Sequence, residues 1–150
     1  MLKTGTTAPE FALPDQNGQI RTSGEFAGRT VVLYFYSKDM TSGCTNEAVA
    51  FAELFPRFEE AGAVIIGVSK DSVASHRKFA DKYGLPFILL SDTGKEVSGR
   101  YDVVKEKTMY GKTTVGVVRT TYVIGPDGTI VFAADGIKAA DIPAAVLKTL

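Results

Sequence analysis

One cysteine and one histidine occur among 150 residues. A single thiol excludes an internal disulfide and any multi-cysteine metal site, and it fits a reducing, cytoplasmic setting. A charge excess of either sign is also lacking. The 17 basic and 17 acidic residues cancel, so no global field favours nucleic acid or an anionic membrane. No apolar run approaches the roughly 20 residues a membrane-spanning helix needs. The opening MLKTGTTAPEF has no secretory apolar stretch. Low-complexity tracts, internal repeats and Pro/Gly/Ser linkers are absent, so one domain over residues 1–150 is expected.

What is present reads as a folded α/β chain. With 45% hydrophobic and 23% charged residues, the composition is that of a globular protein. Phe11 and Leu13 alternate with polar neighbours, DQNG turns and QIRT returns, which predicts an opening hairpin. VVLYFY (31–36) is a continuous apolar run rich in β-branched and aromatic residues, as in a strand covered on both faces. A helix should start near residue 43, since Ala48, Phe51, Phe55 and Phe58 recur at three- and four-residue spacing. Pro56 lies inside that stripe and predicts a kink, or two shorter helices with Pro56 opening the second. Gly62 then closes the helix, and VIIGV (64–68) completes a β-α-β unit.

A second helix is expected over 72–83, stopped by Gly84 and Pro86, then a strand at 87–90 and a short helix around 95–101. RTTYVI and TIVFAA, joined by GPDG, predict an antiparallel hairpin. A closing helix over 141–150 would set Ile142, Val146 and Leu150 on one face. The sum is a three-layer fold, a central mixed sheet with helices on both faces and an N-terminal hairpin.

Cys44 is placed where chemistry is common. Free cysteine usually packs as a small hydrophobe. Here, however, it follows the carboxyl end of a buried strand, where open α/β sheets put their sites. It also falls in a first helical turn, with Thr41 or Ser42 as N-cap. Unpaired amides and the positive helix end favour an anion there. Such placement brings a thiol pKa down to roughly 3.5–7.5, and the thiolate is the nucleophile. A reactive thiol is the better reading.

Several blocks, in order, resemble the peroxiredoxins, and within them the bacterioferritin comigratory protein (peroxiredoxin Q) group: APEFALPDQNGQ, VVLYFYSKDMTSGCTNE, SHRKFADKYGLPFILLSD and MYGKTTVGVVRTTYVIGPDG. The family pattern Pro-x-x-x-Thr-x-x-Cys reads here Ser37-Lys-Asp-Met-Thr41-Ser-Gly-Cys44. The resemblance implies a thioredoxin-like fold and a thiol-dependent peroxidase with no metal or organic cofactor. Cys44 would be the peroxidatic thiolate, with Thr41 holding its hydroxyl near sulfur and peroxide. The amides of Gly43 and Cys44 would bind the peroxide oxygens as an oxyanion hole does. Arg119 would stabilise the thiolate and the departing oxygen, and Glu47 would orient Arg119 through paired hydrogen bonds. Taken singly, Thr41 is also a cap, Glu47 a first-turn acid and Arg119 a solvated strand residue.

Two departures stand out. Ser37 and Ser42 occupy positions where the group has proline, so a more mobile loop, a more exposed sulfur and a rate gain on Ser37→Pro are expected. Val49 stands where many members carry a resolving cysteine. A sulfenic acid at Cys44 therefore has no intrachain partner and needs an external thiol, either a small one or a thioredoxin- or glutaredoxin-like partner. The group implies a monomer, with a weak dimer as the other state. A redox sensor or binding protein with negligible turnover is the alternative. GKTT (111–114) lacks the spacing of a phosphate loop and reads as a loop near the site. His76 falls in register with Val73, Ala80 and Tyr83 and reads as a packing residue, Lys38 and Asp39 as solvated charges. No His, Asp and Glu set has metal-ligand spacing in the sequence.

Overall fold

The computed structural model describes residues 1–150, the side chains of Lys107 and Met109 excepted. Its centre is strand β3 (Thr30–Phe35), which runs parallel to β4 (Ala63–Ser69), itself parallel to β5 (Ile88–Ser91). On its other edge β3 pairs antiparallel with β8 (Thr120–Ile124), and β8 with β9 (Ile130–Asp135). The order is thus β5-β4-β3-β8-β9. The opening hairpin forms a separate pair, β1 (Ala12–Pro14) with β2 (Ile20–Thr22).

Alternation along β3 divides the core. Val32, Tyr34 and Tyr36 face α1 (Ser42–Glu60), α2 (Val73–Tyr83) and α4 (Ile142–Leu147). Val31, Leu33 and Phe35 face the other way, toward Phe11, Phe26 and α3 (Glu96–Arg100). Helices therefore cover both faces. Tyr34 lies over its neighbour Gly67 on β4, where a β-carbon would stand 2.7 Å from the ring. Only glycine fits beneath that ring, which stacks on Phe51 of α1 at 4.7 Å.

Three expectations need correction. The helix after β3 is a single element through Pro56, not two. Proline removes one backbone donor there, but buried Ala48, Phe51 and Phe58 continue one apolar stripe across it, and packing keeps the two halves together. GKTT (111–114), expected as a loop, belongs to a hairpin. Its strands form an antiparallel pair, β6 (Val104–Met109) with β7 (Lys112–Val117). Tyr110 and Gly111, both at positive φ (53° and 76°), make the two-residue turn that matches strand twist. The closing helix spans only Ile142–Leu147, after a 3-10 turn at Ala139–Asp141. Ile142 and Val146 are buried, whereas Leu150 is exposed and nothing there rewards further winding.

Candidate active site

Two crossing events build the site. The chain leaves the carboxyl end of β3 at Phe35, loops through 37–41 and enters α1, so the start of α1 lies over the sheet edge. Phe35 pairs with Thr120, which sets Arg119 at the same edge beside the helix start. Thr41 is the N-cap, in extended backbone (φ −80°, ψ 152°), and the first helical bond runs from the Thr45 amide to the Thr41 carbonyl at 2.9 Å. The amides of Ser42, Gly43 and Cys44 thus precede the helical ladder and carry its positive end.

Cys44 is 1% exposed. Its sulfur accepts from Arg119 Nη2 at 3.4 Å and lies 3.6 Å from the Ser37 hydroxyl. Burial pushes the thiol pKa up. Hydrogen-bonding groups of Thr41, the Lys38 backbone, Arg119 and Ser37 pull it down, and the net value is about 7, below the ordinary 9.0. The Thr41 hydroxyl also lies 2.8 Å from the Lys38 carbonyl, so its one proton is divided between that oxygen and the sulfur. Gly43 is packed under the arginine; a β-carbon there would stand 2.8 Å from Arg119 Nη2.

Glu47 is fully buried, and its Oε1 lies 3.5 Å from Arg119 Nε. Among the described residues neither carboxylate oxygen has a hydrogen bond, and Nε has none either. The expected paired bonds from Glu47 to Arg119 are therefore absent, and the contact is an ion-pair distance alone. Burial pushes the Glu47 carboxyl up to about 8, against the pull of Arg119 and with a further push from Cys44. Burial thus favours the protonated carboxyl, which weakens its competition with the sulfur for the arginine's charge.

The structure brings together Cys44, Gly43, Arg119 and Glu47, with Thr41 one turn earlier. It also adds Ser37, which the sequence marked only as a departure. With serine at positions 37 and 42 the Cys44 side chain is nonetheless buried, and the Ser37 hydroxyl lies against its sulfur. Asp39, expected to be solvated, is 3% exposed and accepts from the Tyr36 hydroxyl at 2.6 Å. A signal for this did exist. His76 on the buried stripe of its helix has two ring nitrogens to satisfy, and an acid in a nearby loop can serve one. Asp39, Asp71 and His76 bring ligand-type atoms within 4.8 Å of one another, a cluster that no spacing in the sequence announces. A cavity of about 300 Å³ lies between the N-terminal segment and the β8–β9 turn, near Val31 and Ile124, at the opposite end of the sheet from Cys44.

A lone thiol at a helix start, buried against an arginine on a thioredoxin-like sheet, defines a peroxiredoxin-class protein. Residues 4–133 match the AhpC/TSA family model. Peroxiredoxin Bcp of Xanthomonas campestris is 47% identical over 145 residues, covering 95% of this chain and 91% of that one. Peroxiredoxin Bcp of Bacillus subtilis is 40% identical over 149 residues, covering 99% and 95%. Among solved structures, a cysteine-to-serine mutant of Xylella fastidiosa PrxQ superposes with a TM-score of 0.93 at 36% identity, covering 99% of this chain and 95% of that one. A Xanthomonas campestris bacterioferritin comigratory protein, described for alkyl peroxide reduction, gives 0.90 at 42% identity, covering 93% and 88%. The chain belongs to the AhpC/TSA family, in its Bcp/peroxiredoxin Q group and in a one-cysteine form.

Proposed function

We propose that residues 1–150 act as one domain that reduces hydrogen peroxide and organic hydroperoxides through Cys44. The observation that carries this is the Arg119 Nη2 contact to the Cys44 sulfur at 3.4 Å, which holds a thiolate beside a charge that cannot be removed. The thiolate attacks one peroxide oxygen, an S–O bond forms and the O–O bond breaks. The departing hydroxide or alkoxide leaves as water or alcohol after taking a proton. Arg119 and the amides of Gly43 and Cys44 face the oxygens on which charge develops. Thr41 supplies a hydroxyl at the mouth, and Glu47 limits where the guanidinium can swing.

With Val49 in place of a second thiol, the sulfenic acid condenses with an external thiol, releasing water and leaving a mixed disulfide. A second external thiol then attacks that disulfide, releases the oxidised donor and frees Cys44. The donor class is a small thiol or a thioredoxin- or glutaredoxin-like protein, in a reducing cytoplasm. No helix among the described residues is long and apolar enough to cross a membrane. The assembly proposed is a monomer.

A coupled assay with several thiol donors tests the proposal. Repeated peroxide turnover, lost in Cys44→Ser, is expected, together with a dimedone adduct on Cys44 after one equivalent of peroxide. A sensor reading draws on the burial of Cys44, 1% exposed, and holds that no thiol donor reaches the oxidised sulfur. It predicts one stoichiometric oxidation with every donor.

A further inference from the structure

A second buried network borders the site and has no part in the reaction above. His76, on α2, is 0% exposed; its Nδ1 lies 2.7 Å from Asp39 Oδ2 and its Nε2 2.9 Å from the Leu90 carbonyl. A carbonyl only accepts, so Nε2 carries a proton. Asp39 accepts from the Ser75 hydroxyl at 2.8 Å and from Tyr36 at 2.6 Å. Another proton must therefore lie between Nδ1 and Oδ2, tying ring to loop. Asp71, after β4, completes the set: its Oδ2 accepts from the Asp39 amide at 2.9 Å and from the Ser69 hydroxyl at 2.6 Å. Among the described residues the titratable groups facing the pair are thus Tyr36, just after β3, and Asp71; β5 contributes only a carbonyl. A cation would have to displace the Nδ1 proton and several of these bonds, so the cluster is a hydrogen-bonded clamp.

What the clamp holds is the loop before the helix. Asp39 sits between Ser37 and Lys38, whose hydroxyl and backbone act on the sulfur, and Thr41, the N-cap position of α1. Its neighbour Met40 adopts φ 66°, a left-handed conformation that costs a side-chain-bearing residue about 1–2 kcal/mol. A short exposed loop does not keep such a residue there unaided. Within the loop itself, the Thr41 hydroxyl bond to Lys38 is the other visible restraint.

We propose that His76 is a positioning residue: acting through Asp39, it fixes loop 37–41 in the conformation that sets the Ser37 hydroxyl and the Lys38 backbone against the Cys44 sulfur. The idea rests on Cys44 being the reactive thiol. It makes His76 part of the peroxidase although the ring touches neither sulfur nor substrate.

Paired amide substitutions in the full chain separate this from core filling. The amide nitrogen of His76→Asn replaces Nδ1 and keeps the donor to Asp39. That of His76→Gln replaces Nε2 and keeps only the donor to Leu90. Thiol ionisation is read from the pH dependence of iodoacetamide alkylation, then the peroxide rate by stopped flow. For His76→Gln we expect titration about one pH unit higher and a rate about fivefold lower at neutral pH. His76→Asn should recover most of that loss. Identical thiol titration in the two variants, with only melting temperature changed, overturns the proposal, as does better recovery in His76→Gln. Should neither fold, Ser75→Ala removes a single Asp39 bond at a half-buried position; a smaller shift in the same direction is expected, and wild-type titration overturns the idea. Alkylation needs no peroxide, so an inactive wild-type protein would sink the peroxidase reading and leave this test intact.

Discussion

Gly43 and Arg119 are packed so tightly that a β-carbon on the glycine would stand 2.8 Å from Nη2 of the arginine, the nitrogen that donates to the Cys44 sulfur. The helix start thus lacks a side chain at the one place where the guanidinium must cross it.

Gly43→Ala should therefore separate catalysis from stability. Alanine is the better helix former by about 1 kcal/mol, so folding should suffer little. The displaced guanidinium loses its line to the sulfur, and the second-order rate with peroxide should fall about tenfold. Stopped-flow rates alongside denaturant midpoints check both halves; an unchanged rate would mean the arginine has room that the geometry denies.

Peroxide reactivity should follow the Cys44 thiolate. With a pKa of about 7, the rate should rise about tenfold between pH 6 and pH 8 and then level off. An ordinary thiol would go on climbing past pH 8. The sign for stability is also set. The folded pKa lies below the unfolded 9.0, so the thiolate's contribution is present above the unfolded value and lost as pH falls through about 7.

Glu47 works in the opposite sense. Its folded pKa of about 8 exceeds the ordinary 4.5, so between these values the folded protein binds the extra proton. The Glu47 contribution to stability should fall as pH rises through that window and flatten above it. Glu47→Gln removes this part of the pH dependence. Urea unfolding at pH 5, 7 and 8.5 should show the variant gaining on wild type, by a few kcal/mol at the upper end. A constant difference across those pH values would show that the carboxyl is already ionised.

Ser37→Pro is expected to slow the reaction, contrary to what the family pattern alone suggests. The sulfur is already shielded, and the Ser37 hydroxyl 3.6 Å away is a contact that proline lacks. Loss of one such bond corresponds to about two- to fivefold in rate. Stopped-flow mixing with peroxide decides it, and a faster variant would restore the shielding argument.

The layers of the fold were legible because each signal is local. VVLYFY reads as a strand wherever it sits, and the stripe through Ala48, Phe51 and Phe58 reads as a helix face. Pro56 misled because the expectation weighed one lost backbone bond and not the packing on both sides of it. The β6–β7 arm escaped notice because Lys112, Thr113, Thr114 and Val115 are all exposed, so no apolar alternation marks a strand. Its turn is Tyr110-Gly111, not the familiar Asn-Gly.

From the sequence alone came the reactive candidate and its nearest helpers, since Thr41, Gly43, Cys44 and Glu47 share one helical start and their spacing fixes their neighbourhood. Only the tertiary structure decided how that neighbourhood is charged. The antiparallel pairing of β8 with β3 carries Arg119 across 75 positions to the sulfur. The packing of α2 buries His76 and draws Asp39 out of water with it. Desolvation and cross-strand approach depend on residues far apart along the chain, so no local pattern records them, and they determine whether a buried thiol or carboxyl keeps its proton.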